Sequence, residues 1–168
     1  GSANALAEAF GGTVAESDNV SKDGRALAER LGLAIDPWPH PEQFATVIAV
    51  DTSSRSQLGR MGALVEAPLL VDHHQYGDLQ ERAPALAWDP AHTSCAEVVL
   101  ELLERTGKSP SQNAAFGLLV GVVTDTARFR HANQNTFDAA RRLLALSGSN
   151  IEAVYAFLER EDEEGATD

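Results

Sequence analysis

At positions 69 to 74 the chain reads Leu69-Leu70-Val71-Asp72-His73-His74, an apolar run that ends in one carboxylate and two adjacent imidazoles. A short continuous apolar run is typical of a parallel strand covered on both faces. Ligands of open α/β sheets bind beyond the carboxyl ends of such strands. The pattern therefore predicts a site at Asp72, His73 and His74, with donors that suit Mn, Zn or Co. Taken alone, these three residues are equally well explained as loop hydrogen-bonding partners.

A second apolar run, Thr46-Val47-Ile48-Ala49-Val50-Asp51, also ends in a carboxylate. Because α/β architecture brings the ends of parallel strands together, two such strands strengthen the prediction of a site. The turn that follows is rich in hydroxyl groups and contains Arg55. Its hydroxyls either cap a helix or contact a phosphate together with backbone amides and Arg55.

Two further segments carry candidate site residues. Residues 114–123 are apolar nearly all round, which predicts a buried helix leading to Asp125. An isolated ionised carboxylate there would cost several kcal/mol, so a metal or an arginine partner is expected. Arg128 and Arg130 suit phosphate, or pair with a carboxylate. Ser94 has capping-box spacing to Glu97, and the same helix start could also face an anion.

We predict a three-layer α/β domain whose mostly parallel sheet is flanked by helices, with a helical C-terminal part. The domain is expected to cover residues 1–158, followed by a disordered acidic tail over residues 159–168. Residues 75–91 are expected to be irregular, as are the proline-rich residues 36–41. The expected strands are residues 13–16, 46–51 and 69–72, and the expected helices are residues 3–10, 21–31, 114–123, 135–146, 150–158 and one that opens at 93–97.

Composition sets broader limits. The chain has 168 residues, 43% of them hydrophobic, which is enough for one domain with a core. Its net charge of −12 repels polyanions, and its scarcity of lysine suggests a halophilic protein. The single cysteine, Cys95, cannot form an internal disulfide, and no apolar run approaches the roughly 18 residues of a membrane span. We therefore expect a soluble, cytoplasmic protein with no membrane contact.

Four segments together resemble the motifs of the DHH phosphoesterase superfamily in order and approximate spacing. They are Asp51-Thr52-Ser53, Asp72-His73-His74, Thr93-Ser94-Cys95-Ala96-Glu97 and the run from Gly121 to Arg130. This superfamily includes RecJ-like exonucleases, nanoRNases, 3'-phosphoadenosine-5'-phosphate phosphatases, cyclic dinucleotide phosphodiesterases, exopolyphosphatases and family II inorganic pyrophosphatases. The resemblance implies a metal-dependent hydrolase of phosphodiester or phosphate ester bonds.

The resemblance also implies residue roles and a cofactor. Asp51 would bridge two Mn²⁺ ions, His73 and Asp125 would be further ligands, and His74 would contact the substrate phosphate. Asp72 is better placed to orient a neighbouring imidazole than to bind metal directly. Two cations about 3.5–4 Å apart lower the pKa of a bridging water, so that hydroxide attacks at neutral pH. Mg²⁺ and Co²⁺ are the alternative ions.

The chain departs from the family pattern at both ends. Members carry a first motif, His-x-x-x-Asp-x-Asp, whereas residues 1–6 resemble only the helix that follows it. Asp18 and Asp23 are the nearby carboxylates, but a turn and a helix cap explain them better. The glycine-rich, His-containing pattern of the C-terminal DHH-associated domain does not follow Leu158, and we expect that domain in the full-length protein. As given, the chain is expected to be weakly active or inactive.

Two functions from different classes follow. One is a phosphoesterase core acting on nucleotides or short oligonucleotides, in a chain that the resemblance allows to form a homodimer. The other is a catalytically incomplete module that binds a nucleotide or phosphate, or has a regulatory role. Exopolyphosphatase or pyrophosphatase activity is a further alternative. Pyrophosphate ranks lower because the cations near the motifs are arginines rather than a lysine cluster.

Overall fold

Short parallel strands and eight α-helices form the part of the computed structural model that is described here, residues 1–15, 21–37 and 40–165. In chain order the elements are α1 (Ser2–Phe10), β1 (Val14–Ala15), α2 (Lys22–Leu31), β2 (Ile35–Asp36), β3 (Ile48–Val50), α3 (Met61–Leu64), β4 (Leu69–Asp72), α4 (Asp78–Arg82), β5 (Leu86–Trp88), α5 (Cys95–Arg105), α6 (Gln112–Asp125), α7 (Gln134–Ser147) and α8 (Ile151–Gly165). Two 3₁₀ turns, Pro41–Gln43 and Arg55–Leu58, complete them. The predicted α/β class, with parallel sheets flanked by helices, is confirmed.

The central sheet has the strand order β3-β4-β5, and both pairings are parallel. Val50 pairs with Val71, and Asp72 pairs with Trp88. The ladder extends one residue beyond β3, because the amide of Asp51 donates to the carbonyl of Val71 at 3.0 Å. Since the three strands run in the same direction, their carboxyl ends share one edge. Asp51 and Asp72 consequently lie at this edge, as the two apolar runs predict.

The first predicted strand does not belong to this sheet. Val14 and Ala15 instead pair in parallel with Ile35 and Asp36 of β2, in a separate two-stranded sheet. Glu16, the predicted end of the strand, lies outside the described residues. The prediction of one sheet containing all three runs was therefore wrong. The sequence did not indicate β2, because a strand of two residues is too short to show an alternating or apolar pattern.

Residues 75–91 were expected to be irregular but contain α4 and β5. The strand β5 is anchored on the free edge of β4, where the amide of Leu70 donates to Ala85 and the amide of Asp89 donates to Asp72. Its three residues lie between Pro84 and Pro90, which hid the strand in the sequence. Long-range pairing, rather than local preference, makes this segment extended.

The hydrophobic core is centred on α6. Its side chains Leu118, Leu119, Val122 and Val123 are fully buried, as is Leu103 of α5. Burying each such side chain contributes about 1.5–3 kcal/mol, so this helix is the main stabilising element. In the described ranges, none of the helices combines the length and the apolar character needed to cross a membrane.

Several helix ends lie where the sequence predicts them. Ser21 caps α2 by accepting from the amide of Gly24, and Gly11 and Gly32 end α1 and α2 with left-handed backbones. The final helix differs from the expectation, because α8 continues past Leu158 to Gly165. Glutamate and arginine favour helix, which explains why this acidic stretch extends α8 rather than being disordered. Residues 166–168 lie outside the described part.

Candidate metal centre

Asp51, His73 and His74 converge at the carboxyl edge of the central sheet. Each offers a ligand atom, and these atoms all lie within 4.8 Å of one another. The Nε2 atom of His73 is 3.5 Å from Oδ1 of Asp51, and Nδ1 of His74 is 3.9 Å from the same oxygen. Two imidazoles around one carboxylate oxygen form a donor set that suits a borderline divalent cation.

Asp51 follows β3 directly and has a left-handed backbone, with φ of 60°. Aspartate tolerates this conformation better than most residues because its side chain is short and polar. The change from extended to left-handed backbone ends the strand at the edge where the imidazoles lie. The Asp51 side chain remains 46% exposed, so a ligand can reach it.

His73 is held by a backbone carbonyl. Its Nδ1 lies 3.4 Å from the carbonyl oxygen of His92, which can only accept a hydrogen bond. The proton of neutral His73 is therefore assigned to Nδ1, leaving the Nε2 lone pair toward the carboxylates. A hydrogen bond to Asp51 raises the pKa of His73, burial opposes this shift, and the charges of Asp51 and Asp125 add to it.

Asp72 is fully buried beneath His74. Its Oδ1 is 2.7 Å from Nδ1 of His74, and its Oδ2 accepts from Nε2 of Gln80 at 3.4 Å. This pairing assigns the proton of His74 to Nδ1 and leaves Nε2 available for a ligand. Because Nδ1, the atom 3.9 Å from Asp51, is bonded to Asp72, the predicted contact of His74 with a phosphate would be made through Nε2, and this role stays a prediction.

Asp125 brings a second carboxylate to the edge from the end of α6. Its Oδ2 lies 4.0 Å from Nε2 of His73, and its side chain is 29% exposed. Burial, followed by the negative charge of Asp51, raises the pKa of Asp125 to about 6, while His73, His74 and the backbone of Cys95 act in the opposite direction. A cation between Asp51 and Asp125 would offset the burial and the negative charge that disfavour ionised Asp125.

The amino-terminal end of α1 also reaches this edge. Desolvation lowers the pKa of the Gly1 ammonium group, while the charges of Asp51, Cys95 and Asp125 raise it. The thiol of Cys95 donates to the carbonyl of Val71 at 3.4 Å, and burial raises the pKa of this thiol well above its usual value. The start of α1 is thus a neighbour of the two carboxylates.

Ser94 is the buried N-cap of α5. Its Oγ accepts from the amide of Glu97 at 3.3 Å and donates to Oε2 of Glu97 at 3.0 Å. The same Oε2 accepts from the amide and hydroxyl of Thr93 and from the amide of Ser94, at 2.8–2.9 Å. Capping geometry therefore accounts for Ser94, and its predicted contact with an anion stays a prediction.

The network around Glu97 reaches further than the capping-box spacing indicates. The hydroxyl of Thr93 lies 2.8 Å from the hydroxyl of Thr136, at the start of α7. The side chain of Asn133 donates to the carbonyl of Ala91 at 3.3 Å. These bonds fasten α7 to the loop that presents the His92 carbonyl to His73. The spacing of residues along the chain does not indicate this long-range connection.

The arginines predicted to bind phosphate lie in different settings. Arg55 donates to the carbonyl of Gly62 through Nε at 2.9 Å and also through a terminal nitrogen, which closes the loop after β3. Arg128 lies in a turn whose three residues, Ala127 to Phe129, all have left-handed backbones. It lines a cavity of about 220 Å³ with Asp23 and Leu158. Arg130 is exposed just beyond this turn.

Asp18 and Asp23 are the carboxylates nearest in sequence to the missing first motif, and of the two the described residues include Asp23. Asp23 lies in the first turn of α2, where Ser21 is the N-cap, and it lines the cavity beside Arg128. Asp18 lies outside the described residues. The helix-end position of Asp23 agrees with a favourable interaction with the helix dipole.

No protein-family model matches the chain. Among curated proteins, an uncharacterized protein of Methanocaldococcus jannaschii is 31% identical over 130 residues, which are 76% of this chain and 40% of that protein. A bifunctional oligoribonuclease and PAP phosphatase of Thermus thermophilus is 26% identical over 160 residues, covering 75% of this chain and 47% of that protein. A protein of Archaeoglobus fulgidus named "Probable manganese-dependent inorganic pyrophosphatase" is 25% identical over 132 residues, covering 77% and 41%.

The chain spans less than half of the length of each of these three relatives. Among solved structures, one from Methanococcus jannaschii, described as a "putative family II inorganic pyrophosphatase", superimposes with a TM-score of 0.75 at 22% identity. The match covers 94% of this chain and 55% of that one, and it shows that the fold is shared. The named relatives support the resemblance of this chain to the DHH phosphoesterase superfamily, and the solved structure shares its fold.

Proposed function

We propose that this chain is the metal-binding core of a divalent-metal-dependent phosphoesterase. The observation that carries the proposal is the convergence of Asp51, His73, His74 and Asp125, where burial and the negative charge of Asp51 raise the pKa of Asp125 to about 6 and a cation would offset both. Mn²⁺ is the proposed ion, in agreement with the name of the A. fulgidus relative, and Mg²⁺ or Co²⁺ could replace it.

The residues fit a divalent cation. Asp51 would be the shared ligand, His73 would bind through Nε2, and Asp125 would bind as a carboxylate. When bound, the ions would polarise the phosphate and supply hydroxide at neutral pH. The chain's own contribution is to hold the proton of His73 at Nδ1 through the His92 carbonyl, so that Nε2 stays available.

His74 has a separate role in the proposal. The buried Asp72 holds the proton of His74 at Nδ1, which leaves Nε2 to meet the substrate. In its protonated state, His74 would donate to a non-bridging phosphate oxygen. A cation must displace the proton of Asp125, whose pKa is about 6 in the metal-free chain, so Mn²⁺ affinity should fall as pH drops below about 6.

The proposed substrates are nucleotide phosphates and short oligonucleotides. The T. thermophilus relative is named for both kinds of substrate, whereas the A. fulgidus relative is named for pyrophosphate. The net charge of −12 disfavours tight binding of long nucleic acids by this domain. Exopolyphosphatase or pyrophosphatase activity is the competing proposal.

The proposal extends to the rest of the protein. Family members carry the motif His-x-x-x-Asp-x-Asp before the helix that α1 resembles, and such residues would enter beside Gly1, close to Asp51 and Asp125. A C-terminal DHH-associated domain would close over the substrate. A cytoplasmic location and a homodimer remain part of the proposal.

Calorimetric titration with Mn²⁺ tests the metal site directly. The Asp51→Asn variant should lose most of the binding, while Asp138→Asn, an equivalent change at an exposed carboxylate of α7, should bind Mn²⁺ like the parent chain. Equal binding by the parent and by Asp51→Asn would refute the assignment of Asp51.

A second experiment tests the reaction. A protein that carries the first motif as well as these residues is incubated with Mn²⁺ and a dinucleotide, 3'-phosphoadenosine-5'-phosphate, a cyclic dinucleotide, polyphosphate or pyrophosphate. Faster turnover of pyrophosphate than of every nucleotide would overturn the substrate assignment. If Mn²⁺ binds and none of the substrates turns over, the regulatory or binding module becomes the better description.

A further inference from the structure

Two aromatic side chains from different segments meet next to His74. Trp88 is the last residue of β5 and pairs with Asp72 across the sheet. Its indole Nε1 donates to the carbonyl of His74 at 2.7 Å. Tyr76 follows His74 by two residues, and its ring centroid lies 6.1 Å from that of Trp88, with the planes at 66°. The aromatic pair is therefore tied to the metal centre through the backbone of His74.

Tyr76 is held in place and yet remains open to solvent. Trp88 contacts its ring edge to face, and the carboxylate of Glu81 lies beside its hydroxyl. The residue is nevertheless 63% exposed. A ring that serves only packing would be expected to lose most of its exposure. An exposed ring that is already positioned loses little freedom when a flat ligand stacks on it.

From these contacts we propose that Tyr76 and Trp88 form a stacking surface for the base of a nucleotide whose phosphate lies at the metal centre. This inference rests on the proposed function and adds the part of the substrate that the metal centre does not recognise. Pyrophosphate and polyphosphate carry no ring and gain nothing from such a surface.

Stacking also suits the charge of this protein. With a net charge of −12, the chain cannot rely on general attraction for anionic ligands. A base is uncharged, so its contact with Tyr76 is independent of this repulsion and persists in concentrated salt. Loss of one stacking contact corresponds to binding that is about 5-fold to 100-fold weaker.

The test compares a phosphate with and without a base. Calorimetry measures the binding of 5'-AMP and of inorganic phosphate to the Mn²⁺-loaded chain, at low and at high salt. Tyr76→Ala should weaken AMP binding about 5-fold to 100-fold and leave phosphate binding unchanged, whereas Tyr76→Phe should retain AMP binding. The matched control is Phe10→Ala, which removes another exposed aromatic ring, at the opposite end of α1 from the metal centre.

A readout independent of the metal's chemistry comes from Trp88. In a Trp38→Phe background the remaining indole fluorescence should be quenched by AMP and not by phosphate. The inference is overturned if AMP binds no more tightly than phosphate, if Tyr76→Ala weakens both equally, or if Phe10→Ala has the same effect as Tyr76→Ala.

Failure of the inference can be told apart from failure of the proposed function. If phosphate binding requires Mn²⁺ and Asp51 while AMP shows no preference, the stacking surface is wrong and the metal centre stands. If Mn²⁺ binding is unchanged in Asp51→Asn, the metal centre itself is wrong, and a stacking surface for a substrate at that centre falls with it.

Discussion

Glu97 and Asp125 are carboxylates at the ends of two packed helices, and their surroundings differ in hydrogen bonding and in charge. Glu97 lies in the first turn of α5 and is 2% exposed, and its Oε2 accepts from Thr93 and Ser94 through two amides and two hydroxyls. Asp125 ends α6, where the helix dipole disfavours a negative charge, and Asp51 raises its pKa further after burial. One oxygen of Glu97 accepts four hydrogen bonds from the chain, whereas its buried Oε1 accepts none. Asp125 has carboxylate and imidazole neighbours instead.

The two carboxylates are expected to affect the stability of the fold in opposite ways. A carboxylate that accepts several hydrogen bonds from its own helix start stabilises the folded state. A carboxylate that is desolvated beside another one destabilises the folded state until a cation arrives. Deleting each group should therefore change stability in opposite directions, and this contrast can be measured.

The largest effect is expected from Glu97→Ala. The substitution leaves the buried amides of Thr93 and Ser94 without their acceptor, which should lower the free energy of unfolding by about 3 kcal/mol. Urea denaturation of the metal-free chain measures this free energy. Glu97→Gln should recover part of the loss, because its amide oxygen can still accept hydrogen bonds from the two backbone amides. A loss below about 1 kcal/mol for Glu97→Ala would remove the contrast with Asp125.

The opposite sign is expected for Asp125→Asn. At pH 7 the metal-free variant should be about 2 kcal/mol more stable than the parent chain, because the raised pKa means that ionised Asp125 costs folding energy. Mn²⁺ should stabilise the parent chain and not this variant.

The difference in unfolding free energy between the parent chain and Asp125→Asn should depend on pH. Asp125 binds its proton more tightly in the folded state, from its ordinary pKa of 3.8 up to about 6, so this residue reduces stability as pH rises through that range. The two proteins should therefore have similar stability near pH 4 and diverge to a constant difference above about pH 6. A difference that does not vary with pH would show that ionisation of Asp125 is not the cause.

A smaller effect is expected from Asp72→Asn. The amide can still contact His74, but it no longer stabilises the imidazole as a carboxylate does, so the affinity of the Mn²⁺-loaded chain for phosphate, or its turnover, should fall about tenfold. Calorimetry measures the affinity, and circular dichroism verifies that the buried substitution leaves the fold intact. Unchanged affinity and turnover would make Asp72 a purely structural residue.

The smallest effect concerns His73. Its pKa should lie above its ordinary value of 6.5 in the metal-free chain, mainly because of the hydrogen bond to Asp51. Protonated His73 therefore stabilises the fold below pH 6.5, and this contribution is lost as pH rises through its raised pKa. Titration followed by nuclear magnetic resonance should show the shift and its reversal in Asp51→Asn. A lower value in the parent chain would contradict it.

The sequence predicted those parts of the molecule that local pattern determines. Apolar runs ending at Asp51 and Asp72 identified the strands of the metal centre, and the apolar residues of α6 identified the helix that carries Asp125. The roles of these side chains toward a metal remain predictions. Their positions at one edge follow from parallel pairing alone.

Contacts between segments distant in the chain could not be predicted from the local pattern of apolar and polar residues. The strand β5 exists because the edge of β4 offers hydrogen bonds, and β1 pairs with β2 rather than joining the central sheet. The contact of the Arg55 guanidinium with the carbonyl of Gly62 is likewise not indicated by the sequence, while the predicted phosphate contact of Arg55 stays a prediction. Neither pairing partner is visible from residues adjacent in the chain.

The left-handed backbone at Asp51 limits how this site can be lost over generations. Asparagine and glycine tolerate that conformation, whereas branched and bulky residues are strained in it. Variants of this domain that keep the fold and replace Asp51 are therefore expected to carry mainly asparagine or glycine at this position.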